Sequence, residues 1–88
     1  MFEGLEIGQV IAVDTISFPY VGRVDGVGDS WVRLTGAVKI LWDGRHGQFA
    51  KGKVPQSAEV EATYSPYTIS ADAIIAWGAY PYPIPKEQ

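Results

Sequence analysis

The sequence predicts an all-β fold, a small bent barrel of five or six strands, on three observations. Several runs alternate apolar and polar residues with the period of two that belongs to a half-buried strand. Glycine sits inside two of these runs, where a strand that bends around a small barrel needs a bulge or a corner. No segment of useful length repeats its apolar residues at the helical spacing, and there is no internal repeat or low-complexity tract.

The elements follow in order. "QVIAVDTISF", residues 9–18, puts Val10, Ala12, Asp14, Ile16 and Phe18 on one parity and is rich in β-branched residues, so it reads as the first strand. Pro19 ends it, and "FPY" belongs at a turn or a sheet edge because proline has no N–H for a ladder. "YVGRVDGV", residues 20–27, is the second strand, with Gly22 a bend or bulge. Gly28 and Asp29 supply turn chemistry. "SWVRLTGAVKILW" then sets Trp31, Arg33 and Thr35 opposite Val32 and Leu34, and Val38, Ile40 and Trp42 opposite Lys39 and Leu41, with a bulge or corner at Gly36.

Residues 43–58 form one long glycine-rich loop, since Gly44, Gly47, Gly52 and Pro55 forbid more than a turn or two of helix. Beyond it, Ala58, Val60 and Ala62 alternate with Glu59 and Glu61, a Ser65-Pro66 turn follows, and "AIIAWGAY", residues 73–80, is the final apolar strand. "PYPIP", residues 81–85, reads as an extended, polyproline-like surface segment. A strand that bends at glycine and continues into a neighbouring sheet is how small barrels close, which makes the expected architecture SH3-like or Sm-like. The 88 residues make a single domain, with a barrel core over 8–80 and a proline-rich tail over 81–88.

A chain this short buries only about 60% of its unfolded surface, so it has no material for a second domain. Hydrophobic residues at 47% against 19% charged favour a packed globule over a disordered chain. Without cysteine there is neither a disulfide framework nor a thiolate metal site, which points to a reducing interior, a bacterial cytoplasm or a virion-producing cell. The first residues lack a basic n-region, and no window approaches the roughly 20 apolar residues of a membrane span, so no membrane is expected as a partner.

A net charge of −3 argues against binding a long nucleic acid, which relies on neutralising many phosphates. The charge is unevenly placed. Residues 23–53 hold Arg23, Arg33, Lys39, Arg45, Lys51 and Lys53 against Asp25, Asp29 and Asp43, a net +3, while the flanks 1–22 and 54–88 each carry −3. A basic middle in an acidic chain suits a small anion better than a long polyanion. Cross-strand ion pairing is the alternative use of the same charges.

The stretch "ILWDGRHGQFAKGK", residues 40–53, concentrates the candidates for a site. Arg45 offers a planar fork for phosphate or carboxylate, His46 a second donor when protonated, and Trp42 a ring that can stack on a base. Arg33 and Lys39 on the preceding strand, expected to face the same side, and Lys51 complete the ligand-binding set. Core packing is the competing role for the tryptophans, and a solvated face for the Arg and Lys.

Catalysis finds no support. A single histidine and no cysteine give no zinc-ligand spacing, no nucleophile elbow is present, and "GVGDSW" lacks the helix a phosphate-cradling loop needs. No catalytic residue, metal or cofactor is therefore expected. Three tryptophans, five tyrosines and an apolar tail leave surface for a partner, so a homo-oligomer is expected, with "WGAYPYPIP" as a docking arm or, alternatively, folded back across its own barrel.

The order of Val10–Val13, Tyr20–Gly22, Val32–Trp42, Asp43–Val54 and Ala73–Tyr80 resembles that of a family of small phage and prophage proteins of unknown function, over about residues 10–84. The resemblance implies a small phage-related β protein and carries no catalytic residues with it. Two functions are consistent with all of this: capture of a small anionic, nucleotide-like ligand, by analogy with phage proteins that sequester bacterial defence signals, or a structural or adaptor module of a phage or prophage.

Overall fold

The computed structural model describes residues 2–42, 49–53 and 59–87. Six strands follow in chain order: β1 (Val10–Thr15), β2 (Pro19–Val27), β3 (Trp31–Trp42), β4 (Glu59–Ala62), β5 (Tyr67–Ser70) and β6 (Ile74–Ala79), with a 3₁₀ turn at Ala71–Ala73 before β6. All pairings are antiparallel, in the order β4-β3-β2-β1-β6, with β5 also on β3. Among the described residues no ladder joins β6 to β4 or β5, so the sheet is bent but open, where the sequence predicts a barrel. The edge of β3 is divided between two strands of four residues each, and neither reaches β6.

The long strand β3 explains the bend. β5 pairs with its first half, Trp31–Leu34, and β4 with its second half, Val38–Trp42. Between the halves lies Gly36 at φ +59°, a left-handed conformation that glycine adopts without the Cβ penalty. On the other side, Arg23 pairs with Thr35 and Val21 with Val38, so β3 uses one residue more than β2 across this interval. An extra residue reverses the facing of everything beyond it.

That reversal creates two cores. One gathers Ile11, Val13, Tyr20, Val24, Val32, Leu34, Ala37, Ile69 and Ile74, with Phe2, Leu5 and Trp77 packed against it. The other gathers Val21, Val38, Ile40, Phe49, Val60 and Tyr80, with Val10, Ala12 and Ile84 against it. Neighbours on one strand point to opposite faces. Tyr20 and Val21, at 7% and 0% exposure, therefore bury both faces of the same strand. Leu34 and Val38, four residues apart and nominally on one parity, serve different cores because Gly36 stands between them. Gly22 is the matching requirement on β2, since a Cβ there would lie 3.0 Å from Leu34 Cβ and 3.1 Å from Ala37 Cβ.

Side chains from the β4–β5 connection fasten the corner. The Gly36 N–H donates to Ser65 Oγ at 3.1 Å, and the Thr63 N–H and hydroxyl both donate to the Ala37 carbonyl, at 3.2 and 3.1 Å. Pro19 opens β2 opposite Asp14 instead of only ending β1, and β5 is a strand that the sequence pattern does not separate from the Ser-Pro segment.

The glycine-rich loop predicted over 43–58 falls mostly outside the described residues. Of its described part, Phe49 is buried in the second core and stacks on Tyr80 at 5.4 Å, while Gly52 at φ +79° lies against the Tyr82 ring. The tail is not a free arm. Ile84 packs on the second core, Pro85 is buried, and Glu87 accepts a hydrogen bond from the Ala62 N–H at 3.3 Å. Among the described residues no helix is long and apolar enough to cross a membrane.

Gly36→Ala should cost about 1–2 kcal/mol of unfolding free energy for its left-handed backbone alone, and Gly22→Ala should also destabilise, by crowding, both read by urea denaturation. The Tyr80 hydroxyl, buried with no hydrogen-bond partner among the described residues, predicts the reverse for Tyr80→Phe. Deleting an unpaired buried hydroxyl while keeping the ring should hold the thermal midpoint or raise it.

Candidate functional site

The reversal at Gly36 also sorts the basic side chains. Arg33 precedes it and Lys39 follows it, and instead of facing one side they line two separate depressions. The Arg33 depression, of about 470 Å³, is bordered by Ser30, Trp31, Thr68 and Ser70. There the guanidinium is already engaged: its Nε donates to Asp25 Oδ2 at 3.0 Å and its carbon lies 5.6 Å from the Trp31 ring centroid. This is the cross-strand ion pairing that competes with anion binding. Both partners are more than a third exposed, so solvent screening leaves the pair a small contribution.

Lys39 is placed differently. Its register partners are Tyr20 on β2 and Glu61 on β4, and its ammonium lies 4.6 Å from the Phe18 ring centroid. Among the described residues no carboxylate forms an ion pair with it. Around it, Tyr20, Glu61, Ala62, Thr63, Tyr64 and Tyr67 complete a groove of about 460 Å³.

The tyrosines form a ladder. Tyr20 and Tyr67 have ring centroids 5.2 Å apart, and Tyr67 and Tyr64 6.3 Å apart, with the ring planes tilted by 36° and 33°. Burial falls along it, from Tyr20 in the first core through half-buried Tyr67 to Tyr64, which is 81% exposed. The local sequence explains this. Tyr64 and Tyr67 flank Ser65-Pro66, whose peptide bond is cis, and that turn passes over the corner at Gly36, bringing both rings beside the second half of β3.

The Tyr67 hydroxyl donates to the Tyr20 hydroxyl at 3.4 Å. This hydrogen bond, with desolvation and the charge of Tyr20 behind it, pushes the Tyr67 pKa up from the ordinary tyrosine value, while Lys39 pulls it the other way. The Tyr67 phenol is therefore neutral at ordinary pH, and its hydroxyl borders the groove.

Of the remaining predicted site residues, only Lys51 has a described side chain. Lys51 is exposed, in the segment after Phe49. Trp42 ends β3 opposite Glu59. Its side chain, together with Arg45 and His46, lies outside the described residues. Of the six residues, then, only Lys39 is seen to line the groove, and Tyr20, Tyr64, Tyr67 and Glu61 were not anticipated. The signal that could have found Tyr64 and Tyr67 was "TYSPY", two tyrosines flanking a turn. Among the described residues no three His, Asp or Glu cluster to hold a metal ion.

Compared with known proteins, the chain matches no family, no characterised protein and no solved structure.

The raised pKa of Tyr67 has a defined sign. The fold holds the phenol proton more tightly than the unfolded chain does, so this contribution to stability is complete below about pH 10 and is lost as pH rises through the folded value. Tyr67→Phe should accordingly lose less stability than the parent between pH 9 and 11, as measured by denaturant midpoints along a pH series.

Proposed function

We propose that the chain is a non-enzymatic binding module of the SH3-like or Sm-like kind that captures a small anionic, nucleotide-like ligand in the groove of Lys39 and the three tyrosines. The observation that carries this reading is a single one: a lysine with no ion-pairing carboxylate among the described residues, beside a graded ladder of aromatic rings. A flat heterocycle stacks on the exposed Tyr64 face, an interaction worth about 1–3 kcal/mol per base. The ligand's phosphate or carboxylate pairs with Lys39, while Glu61 and the phenols hydrogen-bond the ring edge. In keeping with the resemblance to small phage proteins, the task would be to sequester a nucleotide signal of bacterial defence in the host cytoplasm. Arg45, His46 and Trp42 are proposed to serve the same ligand.

The lining also favours a second reading, a structural or adaptor module. Tyrosine-lined grooves accept extended proline-bearing segments, whose polyproline conformation is largely preformed, and Ala62, Thr63 and Tyr64 offer such a wall.

A thermal-shift panel of mononucleotides, cyclic dinucleotides and a proline-rich peptide tests both readings, because a ligand specific for the folded state raises the midpoint. Capture predicts a shift with a nucleotide, weakened roughly tenfold in affinity or more by Tyr64→Ala and also weakened by Lys39→Gln. A shift with the peptide and none with any nucleotide transfers the groove to the adaptor reading. No shift with either overturns both.

A further inference from the structure

The depression beside Arg33 belongs to the first half of β3, on the other side of the Gly36 corner from Lys39. Its lining follows from register. β5 pairs Thr68 with Arg33 and Ser70 with Trp31, so these four side chains stand on one face, while Val32 and Ile69 between them are buried on the other. Ser30, one residue before β3, completes the rim.

Two glycines seat the indole. A Cβ on Gly28 would collide with Trp31 Nε1, and one on Gly26 would stand 3.3 Å from Trp31 Cζ3 and 2.7 Å from Arg33 Nη2. The ring lies across the bare backbone of β2 with the guanidinium beside it, and because Trp31 is only half-buried its other side is left to the depression. A ring held in this way has little freedom left to lose on binding.

The charge here is balanced. Arg33 Nε donates to Asp25 Oδ2 at 3.0 Å, so an incoming phosphate or carboxylate meets a carboxylate bound to the same guanidinium. A hydroxyl, which donates and accepts at once, suits such a pair: the remaining guanidinium N–H groups donate to it and the carboxylate accepts from it. More hydroxyls line the rim. Ser30, Thr68 and Ser70 are all exposed, and Ser70 Oγ accepts from the Asp72 N–H at 3.3 Å, which leaves its own proton to be donated.

We infer that this depression is a second binding site, for a neutral saccharide. The C–H face of a pyranose ring lies on the Trp31 indole, whose π face carries partial negative charge, and the sugar hydroxyls bond to the Arg33–Asp25 pair and to the hydroxyls of the rim. A nucleobase can stack on the same indole, but its phosphate meets only a cation already neutralised. The site shares no residue with the Lys39 groove, so neither reading rests on the other.

Titration of the isotope-labelled full chain with neutral oligosaccharides of glucose, mannose, xylose and N-acetylglucosamine, followed by amide and side-chain N–H resonances, tests this. With at least one of these sugars the Trp31 indole N–H, the Arg33 Nε–H and the Ser70 amide should move saturably, while the Lys39 and Tyr64 amides stay. Trp31→Ala should weaken that binding roughly tenfold or more, the usual cost of removing an aromatic anchor. Asp25→Asn, at an exposed position, should weaken it severalfold and give inorganic phosphate a measurable affinity for Arg33. No saturable change with any of the sugars, changes confined to the Lys39 groove, or binding that either folded variant leaves unchanged overturns the inference. A mononucleotide that moves the same resonances at lower concentration overturns it as well. Should Trp31→Ala fail to fold, Asp25→Asn decides alone.

Discussion

The whole arrangement depends on one extra residue. Without the Gly36 bulge, Val32, Leu34, Val38 and Ile40 would share a face of β3, and their burial would make a single apolar layer with the polar residues opposite. With it, the first pair enters one core and the second pair the other. The same reversal separates Arg33 from Lys39, frees the Gly36 N–H for Ser65, and opens the corner over which the Tyr64–Tyr67 turn passes. A left-handed glycine is a small local cost set against two buried layers, each of which would be too thin alone to support so short a chain.

Much of the fold was legible because period-two alternation is a local signal. β2 and β3 were readable nearly to their ends, as were the corners at Gly22 and Gly36, since glycine inside a β-branched run weakens a strand unless it serves a bend or a close approach. What the alternation could not convey was which face was which. Parity in sequence becomes facing in space only after bulges are placed, and Val38 looks like a continuation of Leu34 on paper. β5 escaped because its four residues, "YTIS", alternate for too short a span to stand out from a turn. Closure into a barrel was inferred from bending, yet bending and closure are separate properties. Here both four-residue strands stop short of β6.

The site was less legible, for a related reason. Charge concentration along the chain drew attention to residues 23–53, and of the basic residues there Lys39 lies in the groove. Arg33 turned out to be committed to Asp25 and Trp31, a pairing across β2 and β3 that depends on register. The tyrosines come from three places in sequence, Tyr20 on β2, Tyr64 in a connection and Tyr67 on β5. Only the crossing of the β4–β5 link over β3 gathers them. Composition had registered five tyrosines as surplus surface without saying where they would meet.

The second core has a temporal side. Its floor comes from Val21, Val38 and Ile40, but Tyr80 and Ile84, which help to roof it, are synthesised after every strand of the sheet. On the ribosome, the first core has all its members by Ile74, whereas the other stays uncovered until the proline-bearing segment leaves the exit tunnel. Vectorial synthesis therefore delivers the members of the two cores in a fixed order, the first set complete at Ile74 and the second only with Tyr80 and Ile84.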